Sequence, residues 1–216
     1  MRIEKEVIKR IKPYMKSKCF QLSGRNYFRI TNDIAFCISL DAPGGILYVT
    51  AYIIPLYIPC DSKYYTYGNR LNACKDAGLP PLQRGVSMEE LDSWCDSLIQ
   101  CISDKILPFF DSINDPYRLV AYVEKKEYLS ARTFHCPEVF AERLRAYTFF
   151  YLCDFSQADI ALKLYRRRLE DSVFLTESVR KKYLDEVILI ESLLQCGKDE
   201  VLKFCYQTIE SSLKIL

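Results

Sequence analysis

The stretch from Asn26 to Pro59, NYFRITNDIAFCISLDAPGGILYVTAYIIPLYIP, constrains this chain more than any other. It is apolar, aromatic and β-branched, and turn residues divide it into runs. Ile34 to Leu40 alternates: Ile34, Phe36, Ile38 and Leu40 share one face, and Ala35, Cys37 and Ser39 share the other. Period-two alternation of this kind is a strand signal. Asn32-Asp33 reads as a turn before it, and Asp41-Ala42-Pro43-Gly44-Gly45 as a loop after it. Tyr27 to Thr31 and a short run from Cys19 to Leu22 supply two earlier strands around Ser23-Gly24-Arg25. The run from Ile46 to Ile54 is the fourth, with its apolar character reaching past Pro55 to Ile58. Pro55 and Pro59 lack a backbone donor, so this strand is expected to bend or lie at an edge there. Strands this close in sequence pair most simply as a four-stranded antiparallel meander.

A single strip of sheet must be covered. Residues 2–18 supply the cover as an amphipathic helix, with Ile3, Val7, Ile11 and Met15 on one stripe and Lys5, Lys9, Lys12 and Lys16 on another face. Pro13 interrupts its interior. The order helix, Gly24-x-x-x-Phe28-Arg29, turn, Asp33-Ile34-x-Phe36-x-Ile38 resembles the opening of a widespread bacterial family of uncharacterised α+β proteins. That family's opening has a Gly-Phe segment where this chain has Lys18-Cys19-Phe20. The resemblance covers about the first quarter of the chain. It implies an α+β fold and carries no known activity.

The remainder reads as helices. Ser87-Met88-Glu89-Glu90 is a capping box, followed by a helix expected to end near Pro108. Asp115-Pro116 and Pro137-Glu138 start two more, running to about Leu129 and Cys153. Ser156 opens a helix to Asp171, Thr176-Glu177 a long one stopped by Gly197, and Asp199 the last. Small and aromatic residues from Ala146 to Tyr165 loosely resemble one tetratricopeptide-like helical hairpin near 138–170, without a clean repeat period. The expected fold is α+β: a helix-plus-sheet part over 1–77, a linker over 78–86 containing Pro80-Pro81, and about six helices in hairpins over 87–216.

Chemistry is sparse. The chain has one His and 10 Cys, with no C-x-x-C pair, so no zinc site and no other metal or cofactor is expected. His135-Cys136 is the one His/Cys neighbour pair, at a helix start whose dipole would lower the thiol pKa. Adjacent residues diverge along the backbone and rarely work as nucleophile and base. Glu89/Glu90 and Glu124/Glu127 look like caps or solvated faces, and no phosphate-binding glycine loop is present. An enzyme is therefore not expected.

What remains is recognition. The connection 60–85 concentrates Tyr64, Tyr65, Tyr67 and Arg70, residue types favoured at interfaces. With Arg29 they form the candidate binding set; shielding of the sheet is the simpler role for the tyrosines. Residues 1–86 carry a net charge of +7 and residues 87–216 of −5. These features point to a non-enzymatic protein that binds another protein. A toxin-neutralising or phage-defence-related accessory role, in a bacterium or its phage, is compatible with the small size. The alternative is a nucleic-acid-binding module using the basic first half, with Arg25, Arg29, Lys63, Arg70 and the lysine face. The charged start MRIEKEVIKR lacks the apolar core of an export signal, and no apolar run approaches a membrane span. A reducing cytoplasm is expected, with the cysteines as free core thiols.

Overall fold

The computed structural model describes residues 2–60, 67–73, 78–126 and 136–216. It is an α+β fold with an N-terminal helix, an antiparallel sheet and a helical remainder. Helix α1 spans Ile3–Ser17, with Ile3, Val7, Ile11 and Met15 buried and Lys5, Lys9, Lys12 and Lys16 exposed. Its end is closed by two backbone bonds: Cys19 N donates to Lys16 O and Phe20 N to Met15 O. This closure needs a left-handed residue, and Cys19 takes that position at φ 63°. Glycine is the usual occupant, since it meets no Cβ penalty there.

Strands β1 (Gln21–Ser23), β2 (Asn26–Thr31), β3 (Ile34–Asp41) and β4 (Ile46–Pro55) follow as the expected meander. Gly24 turns the chain between β1 and β2 at φ 61°. Asn32 and Asp33, at φ 48° and 60°, make the β2–β3 turn, a conformation that Asn and Asp tolerate better than other side chains. The sheet is wider than the sequence pattern suggested. The connection after β4 adds β5 (Tyr67–Arg70) beside β4, and β6 (Leu82–Gln83) pairs with the start of β4. Thus β4 is a central strand. Pro55 ends it opposite Ile34, and the chain bends there rather than extending to Ile58. The segment 78–86 holds β6, with Leu79 and Leu82 buried.

Every residue of β3 from Ile34 to Ile38 is buried, so both faces of the sheet's centre are covered. Register places Tyr27, Arg29, Phe36, Ile38 and Tyr67 on one face. There Tyr27 donates a hydrogen bond from its hydroxyl to Ile8 O of α1 at 3.0 Å. Helix α2 (Met88–Cys101) begins with the expected capping box: Glu90 N donates to Ser87 Oγ at 3.2 Å, and Ser87 N to Glu90 Oε2 at 2.8 Å. It does not end at Pro108. A π-helical turn, Ile102–Ile106, carries the helix on into α3 (Leu107–Ser112). Proline removes one intrahelical donor and crowds the preceding turn, and the wider turn accommodates it. Phe110 of α3 then meets Phe36 at 4.8 Å.

Helix α4 (Pro116–Glu124) is capped by Asp115, whose Oδ1 accepts from Arg118 N at 2.9 Å. The helix stops at Glu124 and not near Leu129: Lys126, at φ 56°, turns the chain out of the helix, and its N donates to Val123 O at 2.9 Å. Helices α5 (Glu138–Tyr151) and α6 (Phe155–Asp171) form a hairpin in which Ala146, Ala158 and Ala161 are buried. Cys153, at φ 57°, closes α5 as Cys19 closes α1. The cap of α6 is Asp154 and not Ser156. Helices α7 (Glu177–Cys196) and α8 (Lys198–Ile215) complete the chain, separated by Gly197. Buried side chains of the sheet, α1 and the later helices belong to one continuous core. Among the described residues no helix is long and apolar enough to cross a membrane.

Gly68 fixes β5 to β4. A Cβ there would stand 2.3 Å from Tyr52 Cβ and 2.4 Å from Ala51 O. Backbone oxygen cannot move aside without breaking the ladder. Gly68→Ala is expected to cost at least about 1–3 kcal/mol in urea unfolding; an unchanged midpoint would show that β5 does not pack as described.

Candidate functional site

Helix α5 places Arg143 and Tyr147 four residues apart on one face, and α7 places Tyr183 and Glu186 three apart. The fold brings these two faces together. Arg143 is buried, with 7% of its surface exposed. Its Nε donates to Glu186 Oε1 at 2.9 Å, and its Nη2 lies 2.8 Å from the same oxygen. Nη2 also donates to Pro59 O at 2.9 Å, where the chain leaves the sheet. The Tyr147 and Tyr183 rings each lie 5.3 Å from the guanidinium carbon. Burial works most strongly against the charge of Arg143, but Glu186 together with Tyr67, Tyr147 and Tyr165 outweighs it and holds the pKa well above the ordinary value.

This ion pair forms the floor of a cleft of about 780 Å³ between α5, α7 and α8. Tyr147, Tyr183, Leu189 and Phe204 give it an apolar side. Lys182, Asp185, Gln207, Thr208 and Ser211 give it a polar one. The volume suits a small ligand or a few side chains of a partner. Tyr147 is fully buried, and burial raises its hydroxyl pKa. That hydroxyl lies near Glu186 yet has no partner at hydrogen-bonding geometry.

The candidate residues drawn from the sequence do not form one surface. Tyr67 is buried, on the sheet face toward Arg143, and burial raises its pKa while Arg143 opposes the rise. Its ring therefore shields the sheet and is not offered to solvent. Arg29 is three strands away on β2. It pairs with Asp111 at 2.6 Å over the Phe20 and Phe36 rings, beside a groove of about 570 Å³. Arg70 lies on the opposite sheet face, over the Tyr48 ring at 4.7 Å. Tyr64 and Tyr65 fall outside the described residues.

The sites considered for catalysis are also placed. His135 lies outside the described residues. Cys136 is buried, and burial pushes its thiol up to about 12, opposite to the lowering expected from a helix start. Desolvation of the thiolate outweighs the dipole there. Glu90 is held below its ordinary pKa by the Ser87 backbone and side chain, as a cap residue should be. Glu124 pairs with Arg145 at 3.3 Å. Arg166, Arg167 and Arg168 pair with Glu191, Asp171 and Glu138. No three metal-binding side chains converge among the described residues.

No family of known proteins matches this chain, and neither does any curated protein or solved structure.

Two outcomes test the site. Glu186→Gln leaves the Arg143 charge buried without its counter-ion, and is expected to cost about 3–5 kcal/mol in urea unfolding. Replacing both residues with apolar ones is expected to cost much less. A loss from Glu186→Gln no larger than that of an exposed pair would overturn the assignment. The second outcome concerns pH. Burial raises Tyr27 and Cys205 to about 12 and Cys95 to about 11. Their unfolded values are about 10 for Tyr and about 8.5 for Cys. Above the unfolded values the native state holds more protons, so stability is full below about pH 8.5 and falls as pH rises toward about 12. Unfolding midpoints that stay flat across that window would contradict these burials.

Proposed function

We propose that this chain is a non-enzymatic protein that binds another protein through its helical half. The observation that carries this reading is the outer surface of α6 to α8. Helix α7 spans 20 residues and fully buries only Val187 and Ile190. Ile188, Leu189 and Val179 on the same helix are exposed, as are Ile160 and Leu164 on α6 and Tyr206 on α8. In the loop between α6 and α7, Val173 is 84% and Phe174 94% exposed. Isolated exposed apolar residues are ordinary, but a concentration along neighbouring elements is what contact surfaces look like. Aromatic residues at such places are typical anchors. The free thiols of the nine described cysteines support a reducing compartment for this activity.

A nucleic-acid reading is favoured by one feature. Lys5, Lys9, Lys12 and Lys16 form an exposed row along α1, about 16 Å long. The arginines are less available to it: Arg25 pairs with Asp41 and Arg29 with Asp111.

The test is affinity capture from host lysate with the full chain, with and without nuclease, comparing wild type with Phe174→Asp and Ile188→Asp. Both substitutions are on exposed side chains and leave the core intact. The expected result is a stoichiometric protein that survives nuclease and is lost with either variant. Capture unchanged by both variants would overturn the reading. Loss on nuclease treatment, with binding that falls steeply as salt rises, would transfer the function to the lysine row.

A further inference from the structure

We infer that the outer edge of β2 at Ile30 is a docking site for an extended peptide segment of a partner, apolar at one residue and acidic at the next. The inference does not rest on the α6–α8 surface, since it concerns the sheet and its backbone groups.

Backbone pairing carries the argument. Along an antiparallel strand, successive residues direct their N–H and C=O alternately to one neighbour and to the other. Leu40 N donates to Arg25 O at 3.0 Å, which sets the phase of β2 against β3. Tyr27, Arg29 and Thr31 therefore bond to β3, and Asn26, Phe28 and Ile30 face the other side. There Asn26 meets Ser23, and Phe28 meets Gln21. Strand β1 begins at Gln21, so Ile30 has no residue opposite it. The register would put Cys19 there, between Phe20 and Lys18. These three are instead turned back onto α1: Lys18 N donates to Tyr14 O, Cys19 N to Lys16 O and Phe20 N to Met15 O. No backbone group among the described residues bonds to Ile30 N–H or C=O on that side. Such open edge groups are what an added strand pairs with.

The vacated position is a groove of about 570 Å³. Lys18 and Cys19 line it from the end of α1, Asp111 and Asn114 from α3 and the connection after it, and Arg29 to Thr31 from β2. Asn32 Nδ2 donates to Asn114 O at 3.1 Å and ties the β2–β3 turn to that connection. The space suits a few residues of extended chain.

The side chains decide the sequence of the guest. A guest residue opposite Ile30 shares its face of the sheet, where Ile30 is 40% exposed. An apolar side chain covers it there. The next guest residue points to the face of Arg29. Arg29 and Asp111 pair at 2.6 Å, and beyond the groove Asp115 and Arg118 pair at 3.2 Å. Lys18 lies over the Tyr14 ring and has no ion pair among the described residues. The lining is left with one positive charge, and exposed Lys16 on the same helix end adds to it. An acidic side chain complements that charge, and a basic one opposes it.

The test uses the full chain and three blocked pentapeptides: Thr-Glu-Val-Glu-Thr, the same with its valine N-methylated, and the same with both Glu replaced by Gln. Binding is followed by amide NMR shifts and hydrogen exchange at low salt. Lys18→Gln is compared with Lys5→Gln, about 20 Å away along α1. Circular dichroism confirms that both variants fold.

In the free chain the Ile30 amide is expected to exchange at least about tenfold faster than those of Arg29 and Thr31. The Glu peptide slows it and shifts residues 18–19 and 29–31. The N-methylated peptide lacks the N–H that Ile30 O would accept, and does neither. Affinity falls about tenfold for the Gln peptide, and by as much for the Glu peptide with Lys18→Gln, but is unchanged by Lys5→Gln. Slow exchange of Ile30 in the dilute free chain overturns the inference. So does absence of protection at millimolar Glu peptide, equal binding of the N-methylated peptide, or indifference to the Gln exchange. Protection that grows with protein concentration alone assigns the edge to a second copy and also overturns it. Phe174→Asp leaves all these readings unchanged, so the two proposals fail separately.

Discussion

A buried guanidinium is stable only when every partner is in place, and Arg143 makes the rest of this structure depend on that condition. It joins the exit of the sheet at Pro59 O, its own helix α5, and Glu186 of α7. Two tyrosine rings close the sides. Removing a charge from water costs several kcal/mol, and close pairing about offsets it, so such a pair adds little net stability. Its effect is on geometry. Moving α7 away from α5 would leave the Arg143 charge without Glu186, so the pair holds these two walls of the cleft together.

The sheet imposes a second condition, on α1 and α3. Because β3 is buried on both faces, no part of its centre can remain against solvent. Helix α1 and the Phe110 turn of α3 occupy one face through Tyr27 and Phe36. At the β2–β3 turn, Asp33 accepts a hydrogen bond from the Tyr151 hydroxyl at 2.7 Å, and Tyr57 stacks on the Tyr151 ring at 4.4 Å. The helical half is thus docked onto the sheet at its turn as well as at its exit. Core burial and polar ties converge on α5, which lies between sheet and outer helices.

The outer helices are held less completely. Helix α7 packs mainly through Val187 and Ile190 and through Arg166–Glu191 at 2.6 Å. That asymmetry is why most of the large apolar residues left in solvent are on α6 to α8, with Leu22 and Ile30 the exposed ones on the strands. Structure and surface chemistry therefore have one origin: a tightly covered sheet on one side and a loosely covered helical layer on the other.

Much of the fold could be read directly from local chemistry. Alternation from Ile34 to Leu40 gave β3, Ser87 with Glu90 gave the start of α2, and Asp115-Pro116 gave that of α4, because each signal acts over a few neighbouring residues. The misjudged points needed distant atoms. Pro108 does not stop its helix, because a π turn and the packing of Phe110 on Phe36 carry it through. Strands β5 and β6 are too short to show a period and form only because β4 has free backbone groups beside them. Cys19 and Cys153 hold positions where glycine would signal a helix end, so that signal was missing. The candidate residues Arg29, Tyr67 and Arg70 are close in type but separated by strand and by sheet face. Arg143 and Glu186 lie 43 residues apart, and their helix-face neighbours Tyr147 and Tyr183 carry no mark of a meeting. The sequence by itself determined the first four strands, the starts of most helices and which faces are apolar, since periodicity and caps are local. Only the tertiary structure decided that one arginine would be buried, and that a cleft would open above it, since desolvation and pairing depend on what the rest of the chain brings near.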